Sequence, residues 1–548
     1  MRPTQRFFKL LSNFKKEISY LYFYAALAGL ASLTLPLGMQ AIIQFVMAGQ
    51  VSTSLVLLVL MVVLGIAISG YLQIMQLWVA EFIQQQIFAR GAFEFSHRIP
   101  RIKLEVMQHR YPPELVNRFF DVPAVQKGTA KVLIDFSIAS LQMIFGLLLL
   151  SIYHPLFIAL SASMLLAIFL VFRITGKRGL ETSIVESKYK YRTAFWLQEV
   201  ARAITTFKIS DETDLSNKKV DKEVSAYLLA RKSHFRVLMF QYTSMVILKV
   251  LVAASLLGIG VFLVIDRQIN LGQFVAAEII ILLVLGAVEK LILSMDVIYD
   301  LLTSLEKVGE VTDLPLEAEG GFALVEEECV NGISIETQQL SFTYDGYQSP
   351  ILDKLSLKIN AGEKIGITGS AGGGKSTFLK LLAGFYANYE GNIKLNGLRL
   401  QEIDRSTLHR WVGESISTET IFNASIRDNI TLGREISDKQ LQQTLKAVGL
   451  VDYIDRLPGG LQTELLPEGK KVSQNIIGRI IMARATVRTP GLLLHEDMGM
   501  GLPENEKAQI NQMLISGSWT LITVTNDPQL LQACDRVLRL ENNNPQPL

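Results

Sequence analysis

The sequence predicts a two-part chain: an all-α transmembrane domain of six helices, followed by an α/β domain. Three observations predict it. Long apolar stretches fill residues 18 to 300, the composition turns polar and acidic near residue 305, and short strand-like and helix-like runs alternate beyond it. At 548 residues the chain is too long for one core. Hydrophobic residues make up 49%, and the mean hydropathy of +0.31 is high for a soluble protein. A formal charge of +2 supplies no field for a nucleic-acid partner. Cys329 and Cys534 lie far apart and the six histidines form no ligand cluster, so neither a disulfide framework nor a structural metal is expected.

Spans are expected at about 18–48, 54–82, 133–153, 156–175, 237–265 and 270–300. Each meets or approaches the roughly 20 apolar residues that cross a bilayer. The first is too long for the roughly 7–15-residue apolar region of a cleavable signal. Ahead of it, Phe7, Phe8, Leu10, Leu11 and Phe14 interleave with basic residues, the pattern of a helix lying in the membrane interface. The connections Gly49 to Ser54, His154–Pro155 and Asp266 to Asn270 hold one basic residue, Arg267. The N-terminus and the stretches 83–132 and 176–236 hold nearly all the others, which places them, and both chain ends, in the cytoplasm.

Those two stretches read as helices continuing below the membrane, Gln84 to Arg101 and Glu181 to Phe207. Breaks at Tyr111-Pro112-Pro113 and Ile209-Ser210-Asp211-Glu212 leave room for a short transverse helix at each tip. Gln40, Gln44, Gln73, Gln76, Gln142, Glu278, Glu289 and Lys290 are polar residues within spans that could line a pathway. For Glu289 and Lys290 an interfacial position is the alternative. The boundaries that follow are a membrane domain at 1–304, an acidic linker at 305–331, an α/β domain at 332–541 and a disordered Asn/Pro-rich tail at 542–548.

The most specific local signal is Gly369-Ser370-Ala371-Gly372-Gly373-Gly374-Lys375-Ser376, followed by Thr377. It fits GxxxxGK[ST] between a strand at Lys364 to Thr368 and a helix from Thr377 to Phe385. Glycines let successive backbone N–H groups curl round phosphates, and the helix N-terminus adds its positive dipole end. Lys375 then reaches the outer phosphates of ATP, and the Ser376 hydroxyl ligates Mg²⁺.

Six spans with two cytoplasmic extensions and a downstream phosphate-binding loop resemble an ATP-binding-cassette exporter half, over almost the whole chain. The segment Pro113-Glu114-Leu115-Val116-Asn117-Arg118-Phe119-Phe120-Asp121 resembles the GELxxRxxD segment of bacterial type I secretion and bacteriocin exporters. This resemblance implies a multi-pass protein of the bacterial inner membrane, in contact with lipid and moving a substrate that the sequence does not identify. No peptidase domain precedes the first span, so leader cleavage is not expected. Tyr344 matches the aromatic residue that stacks on adenine in this family.

Other positions depart from the family pattern. Ser417 stands where a Gln is usual, and Val472-Ser473-Gln474-Asn475-Ile476 replaces the Leu-Ser-Gly-Gly-Gln signature that meets the partner's γ-phosphate. Ala483-Arg484-Ala485 keeps the family register. His495 aligns with the metal-binding aspartate and Glu496 with the catalytic glutamate. A one-residue shift would instead give Glu496 to the metal and Asp497 to the attacking water. Leu502 replaces a loop aspartate, and Asn526 replaces the histidine that senses the γ-phosphate.

The resemblance implies a head-to-tail dimer. The eroded motifs point to a heterodimer with a more conventional second half-transporter and to weak or asymmetric hydrolysis, with a homodimer as the alternative and a periplasmic adaptor as a further partner. A non-hydrolysing regulator or scaffold of a secretion assembly, and an ATP-gated channel, are the competing readings.

Overall fold

The computed structural model describes residues 1–49, 53–108, 110–209, 214–416, 420–497, 503–541 and 544–547. Two compact units emerge. One comprises Met1–Pro100 with Arg110–Leu314, and the other Arg101–His109 with Pro315–Leu548.

In the first unit the chain forms α1 (Pro3–Ser12), α2 (Lys15–Ser32), α3 (Thr34–Met47) and α4 (Thr53–Arg98). After α5 (Leu104–Met107), which belongs to the second unit, come α6 (Pro112–Val116), α7 (Val122–Tyr153), α8 (Pro155–Arg202), α9 (Ile204–Ile209), α10 (Leu215–Ile265) and α11 (Leu271–Thr312). Six stretches among the described residues are long and apolar enough to cross a membrane, the first made of α2 and α3 together. The sharp turns between spans have local causes. The His154 ring accepts the Leu156 N–H with Pro155 at the first helical position of α8, and Asn270 and Gln273 form a reciprocal capping box on α11. The 48 residues of α8 and 51 of α10 correspond to about 70 Å of helix each, more than twice a hydrocarbon core. Both therefore continue beyond the bilayer, as the sequence predicts. Small residues let spans approach: a Cβ on Gly146 would lie 2.6 Å from Val284 Cγ2 on α11, and one on Gly179 would collide with the Tyr299 ring.

The last helix runs to Thr312, eight residues past the boundary expected at 304, so the start of the expected acidic linker is helical. Its acids are spaced four apart and answer two cations, partly buried Arg6 and buried Arg118. Glu306 lies 3.5 Å from Arg6, and Glu310 accepts from Arg118 at 2.9 Å. Arg6 also reaches Asp313 at 3.0 Å, fastening α1 to the end of α11. Gly309 leaves the space that the Arg6 guanidinium fills.

The Pro113–Asp121 segment works in the same way. Arg118 lies 4.0 Å over the Tyr191 ring and donates to Glu114 at 3.1 Å. Asp121 accepts from the Tyr191 hydroxyl and from Ser304 at 3.4 Å. One buried cation and one buried anion thus pin the start of α7 to α8 and α11. Removing one partner of such a pair typically costs about 3–5 kcal/mol.

The second unit begins with Arg101–His109, bound to the α/β domain. Lys103 N–H donates to the Pro315 carbonyl at 3.1 Å, Glu317 N–H to Arg101 at 2.8 Å, and the Glu105 carboxylate accepts the Ala387 N–H at 2.6 Å. After α12 (Glu326–Cys329) come β1 (Ile335–Phe342), β2 (Leu352–Ile359), β3 (Lys364–Thr368), α13 (Lys375–Leu382), β4 (Glu390–Leu395), β5 (Leu398–Arg399) and β6 (Val412–Ser415). The remaining strands are β7 (Ala424–Ser425), β8 (Glu464–Leu465), β9 (Leu492–Glu496), β10 (Thr520–Val524), β11 (Arg536–Glu541) and β12 (Asn544–Pro547). A sheet ordered β2-β1-β4-β5 is antiparallel. A second, ordered β12-β11-β3-β10-β9-β6, is parallel apart from β12. Residues 544–547 thus pair as a strand with β11, where the sequence predicts a disordered tail. Loops at the carboxyl ends of parallel strands are where such sheets gather ligand chemistry, and the phosphate-binding loop leaves β3 at that edge.

Candidate nucleotide-binding site

The loop after β3 has the shape its glycines dictate. Gly369 has φ of +141°, and a Cβ there would collide with the Leu540 carbonyl. Gly374 has φ of +82°, and its Cβ would sit 2.7 Å from Leu352 Cδ2. Both positions exclude other side chains sterically and conformationally. The Lys375 ammonium reaches back along the loop to the carbonyls of Gly369 and Ser370, at 3.1 and 2.6 Å. Tyr344 shares a 3.0 Å hydrogen bond with Thr377 Oγ1, and its ring meets those of Phe342 and Tyr386 edge-on at 4.9 and 5.7 Å. Tyr344 and Thr377, 33 residues apart, bring the aromatic residue beside the end of the loop. α13 begins at Lys375, two residues before the expected start.

The strand carrying these residues, β9, runs to Glu496. Strand alternation then separates His495 from Glu496. His495 is 4% exposed, paired in register between Ser415 and Thr523, and its Nδ1 has no hydrogen-bond partner. Burial pushes its pKa down to about 4, only partly offset by Asp497 and Glu496, so the ring is neutral at neutral pH. Glu496 projects the other way and accepts the Ser376 hydroxyl at 2.5 Å. The carboxylate aligned with the attacking water is thus joined to the proposed Mg²⁺ ligand, and the residue aligned with the metal carboxylate packs inside the sheet. Asp497 follows the strand, exposed, and accepts from Thr525 Oγ1 at 3.1 Å. Asn526 accepts from Thr368 Oγ1 at 3.2 Å, so the position aligned with the phosphate-sensing histidine adjoins the start of the loop.

The signature segment caps a helix, Gln474–Thr486, with the Ser473 hydroxyl accepting the Ile476 N–H at 3.4 Å. Gln474 is exposed at its first turn, while Asn475 and Ile476 are partly covered. Ser210, Asp211, Glu212, Ser417 and Leu502 lie outside the described residues.

In the membrane unit, Glu289 does not stand alone. It forms an ion pair with Lys249 of α10, the two side chains 35% and 32% exposed. Both positions fall within the spans expected at 237–265 and 270–300. In the sequence alone Lys249 carries little signal, because one lysine barely lowers the hydropathy of a long apolar run. Gln40 accepts from the Tyr153 hydroxyl at 2.7 Å, and Gln76 is fully buried without a hydrogen-bond partner.

Bilayer-length helices in one unit and a strand–glycine loop–helix α/β fold in the other define a membrane protein with a phosphate-loop type of domain. The chain belongs to the ABC transporters: the ABC transporter transmembrane region matches residues 18–288 and the ABC transporter family model residues 352–497. It has the fold of an ABC exporter half-transporter. A bacterial Atm1-family ABC exporter with ATP bound superposes with a TM-score of 0.86 at 19% identity, over 97% of this chain and 94% of that one.

The chain is similar to the colicin V secretion/processing ATP-binding protein of Escherichia coli, 28% identical over 52% of this chain and 41% of that protein. It is also similar to the α-hemolysin translocation ATP-binding protein of Escherichia coli O157:H7, 29% identical over 63% and 49%. The transport/processing ATP-binding protein ComA of Streptococcus pneumoniae is 23% identical over 92% and 70%. The chain spans about half the length of the first two relatives.

Proposed function

We propose that this chain is the ATP-binding half of a dimeric exporter in a bacterial plasma membrane, with both termini cytoplasmic, moving a substrate outward with weak or asymmetric ATP turnover. The observation that carries the nucleotide assignment is the Ser376–Glu496 hydrogen bond beside an intact glycine loop. Two hard oxygen donors sit side by side where the loop would present the triphosphate, a donor set that suits Mg²⁺. The side-chain directions along β9 support the shifted assignment: Glu496 serves the metal shell and Asp497 the attacking water. His495 then belongs to the core and is no defect of the site.

The bound nucleotide supplies the energy-rich phosphoanhydride. The protein's part is to neutralise charge with Lys375 and the loop amides, hold the metal with Ser376 and Glu496, and stack the base on Tyr344. Ser417, Asn526 and the Val472–Ile476 segment weaken the steps that follow binding, because they replace γ-phosphate contacts by shorter, neutral or apolar groups.

Calorimetry with Mg·ATP on the full chain tests the site. Lys375→Ala is expected to weaken binding by at least about 100-fold, and unchanged affinity would place the nucleotide elsewhere. For the orientation, a cysteine introduced between Gly49 and Ser54 should react with an impermeant maleimide from outside intact cells. Reaction only after permeabilisation would reverse the topology.

A further inference from the structure

In the membrane unit, α8 and α10 enclose a cleft of about 280 Å³ lined by Ile174, Thr175, Arg178, Arg236, Val237 and Phe240. From its position and chemistry we infer that this cleft is a binding site for one anionic phospholipid.

The argument begins with depth. Apolar spans at 156–175 and 237–265 end within three residues of Arg178 and one residue of Arg236. At 1.5 Å per residue both arginines lie within about 5 Å of the hydrocarbon boundary, the level of lipid phosphates. Neither guanidinium has an ion-pair or hydrogen-bond partner among the described residues, whereas neighbouring Lys177 and Arg231 are matched with Glu181 and Glu186. Two unmatched cations therefore face one cleft from two helices.

The wall on the membrane side is apolar and open. Ile174 is 65% and Phe240 53% exposed. Leu170, one turn before Ile174 on the same face, continues the strip into the span. The floor is closed and rigid, since Thr175 donates to the Val171 carbonyl and accepts from Gln241, both at 2.7 Å. Cations at headgroup depth above an apolar strip match a molecule with an anionic head and an acyl tail. A free phosphate would meet the arginines but leave the strip uncovered, and a neutral lipid would cover the strip but leave two cations unmatched. The occupant would bridge the two longest helices of the chain at the level where they leave the bilayer.

Native mass spectrometry of the full chain in detergent tests this, with phosphatidylglycerol, phosphatidylcholine or inorganic phosphate added separately. One tightly retained phosphatidylglycerol is expected, with phosphatidylcholine bound at least about tenfold more weakly and inorganic phosphate failing to displace the lipid. Arg178→Ala with Arg236→Ala should remove that molecule, Arg178→Lys with Arg236→Lys should retain part of the affinity, and Lys177→Ala should change nothing. Should the double alanine variant fail to fold, a photoreactive phosphatidylglycerol on the wild-type chain should label peptides containing Ile174–Arg178 or Arg236–Phe240. Undiminished retention in the folded double variant, displacement by phosphate, or labelling confined to other helices would overturn the site. So would cross-linking that shows a second copy of the chain sealing the cleft.

Discussion

The two ends of the nucleotide-binding unit have fared differently. Around the phosphate loop, the residues proposed to grip a nucleotide are braced: Gly369 against Leu540, Tyr344 on Thr377, Ser376 on Glu496. At the start of the Gln474–Thr486 helix, the backbone cap survives through Ser473, but the two glycines that would let a second chain's phosphate approach are Gln474 and Asn475. Helix formation needs only the cap, whereas catalysis needs the glycines as well. On the proposed function, such a site keeps its fold and its grip while its turnover falls, so binding and turnover are to be measured separately.

The two carboxylates give the sharpest way to break that account. If Glu496 serves the metal, Glu496→Gln should weaken Mg·ATP binding by about tenfold or more and raise the Mg²⁺ concentration it requires, because an amide is a poor ligand for a hard dication. Asp497→Asn should change that affinity less than about threefold while removing residual hydrolysis. The opposite pattern, read by calorimetry across a Mg²⁺ series, would restore Glu496 to the water. A smaller effect is expected at His495. His495→Phe fills the same buried slot and should leave nucleotide affinity within about twofold; loss of Mg²⁺ dependence would mean that the imidazole contacts the metal after all.

The smallest functional consequence concerns the scaffold beneath the loop. Burial raises the thiol pKa of both Cys329 and Cys534 to about 11, and a Cβ on Gly366 of β3 would touch Cys534. The thiolate is the reactive form, so native alkylation at pH 8 should run roughly 100-fold slower than in denaturant. It should rise only as pH approaches 11, whereas the unfolded chain reacts from about pH 8.5. Fast native labelling at pH 8 would reveal a looser sheet than the one described.

Much of this was legible in the sequence, for local reasons. Apolar runs of bilayer length and a strand–glycine loop–helix pattern are each complete within a few dozen residues, and the spans and the loop follow them. What escaped depends on distant partners or on where an element stops. Lys249 means little until Glu289 of α11 stands beside it. Glu306 and Glu310 looked like linker acids because their cations, Arg6 and Arg118, are far away in sequence. The choice between the two alignments of His495, Glu496 and Asp497 depends on which way each side chain points. Residue order alone leaves that open, whereas the strand's register turns His495 inward and Glu496 toward Ser376.

Steady-state phosphate release from the purified full chain in nanodiscs tests most directly whether grip and turnover have separated. Glu496→Gln and Asp497→Asn serve as blanks. The wild-type homodimer is expected to release phosphate well below the roughly 1 s⁻¹ at the slow end of ordinary enzymes. Restoring Leu-Ser-Gly-Gly-Gln at 472–476 together with Asn526→His should raise the rate by more than the product of the two separate changes, since parts that act as a unit are not additive. A wild-type chain already turning over at roughly 1–10³ s⁻¹, unaffected by the restored residues, would contradict the account and make this an ordinary ATPase.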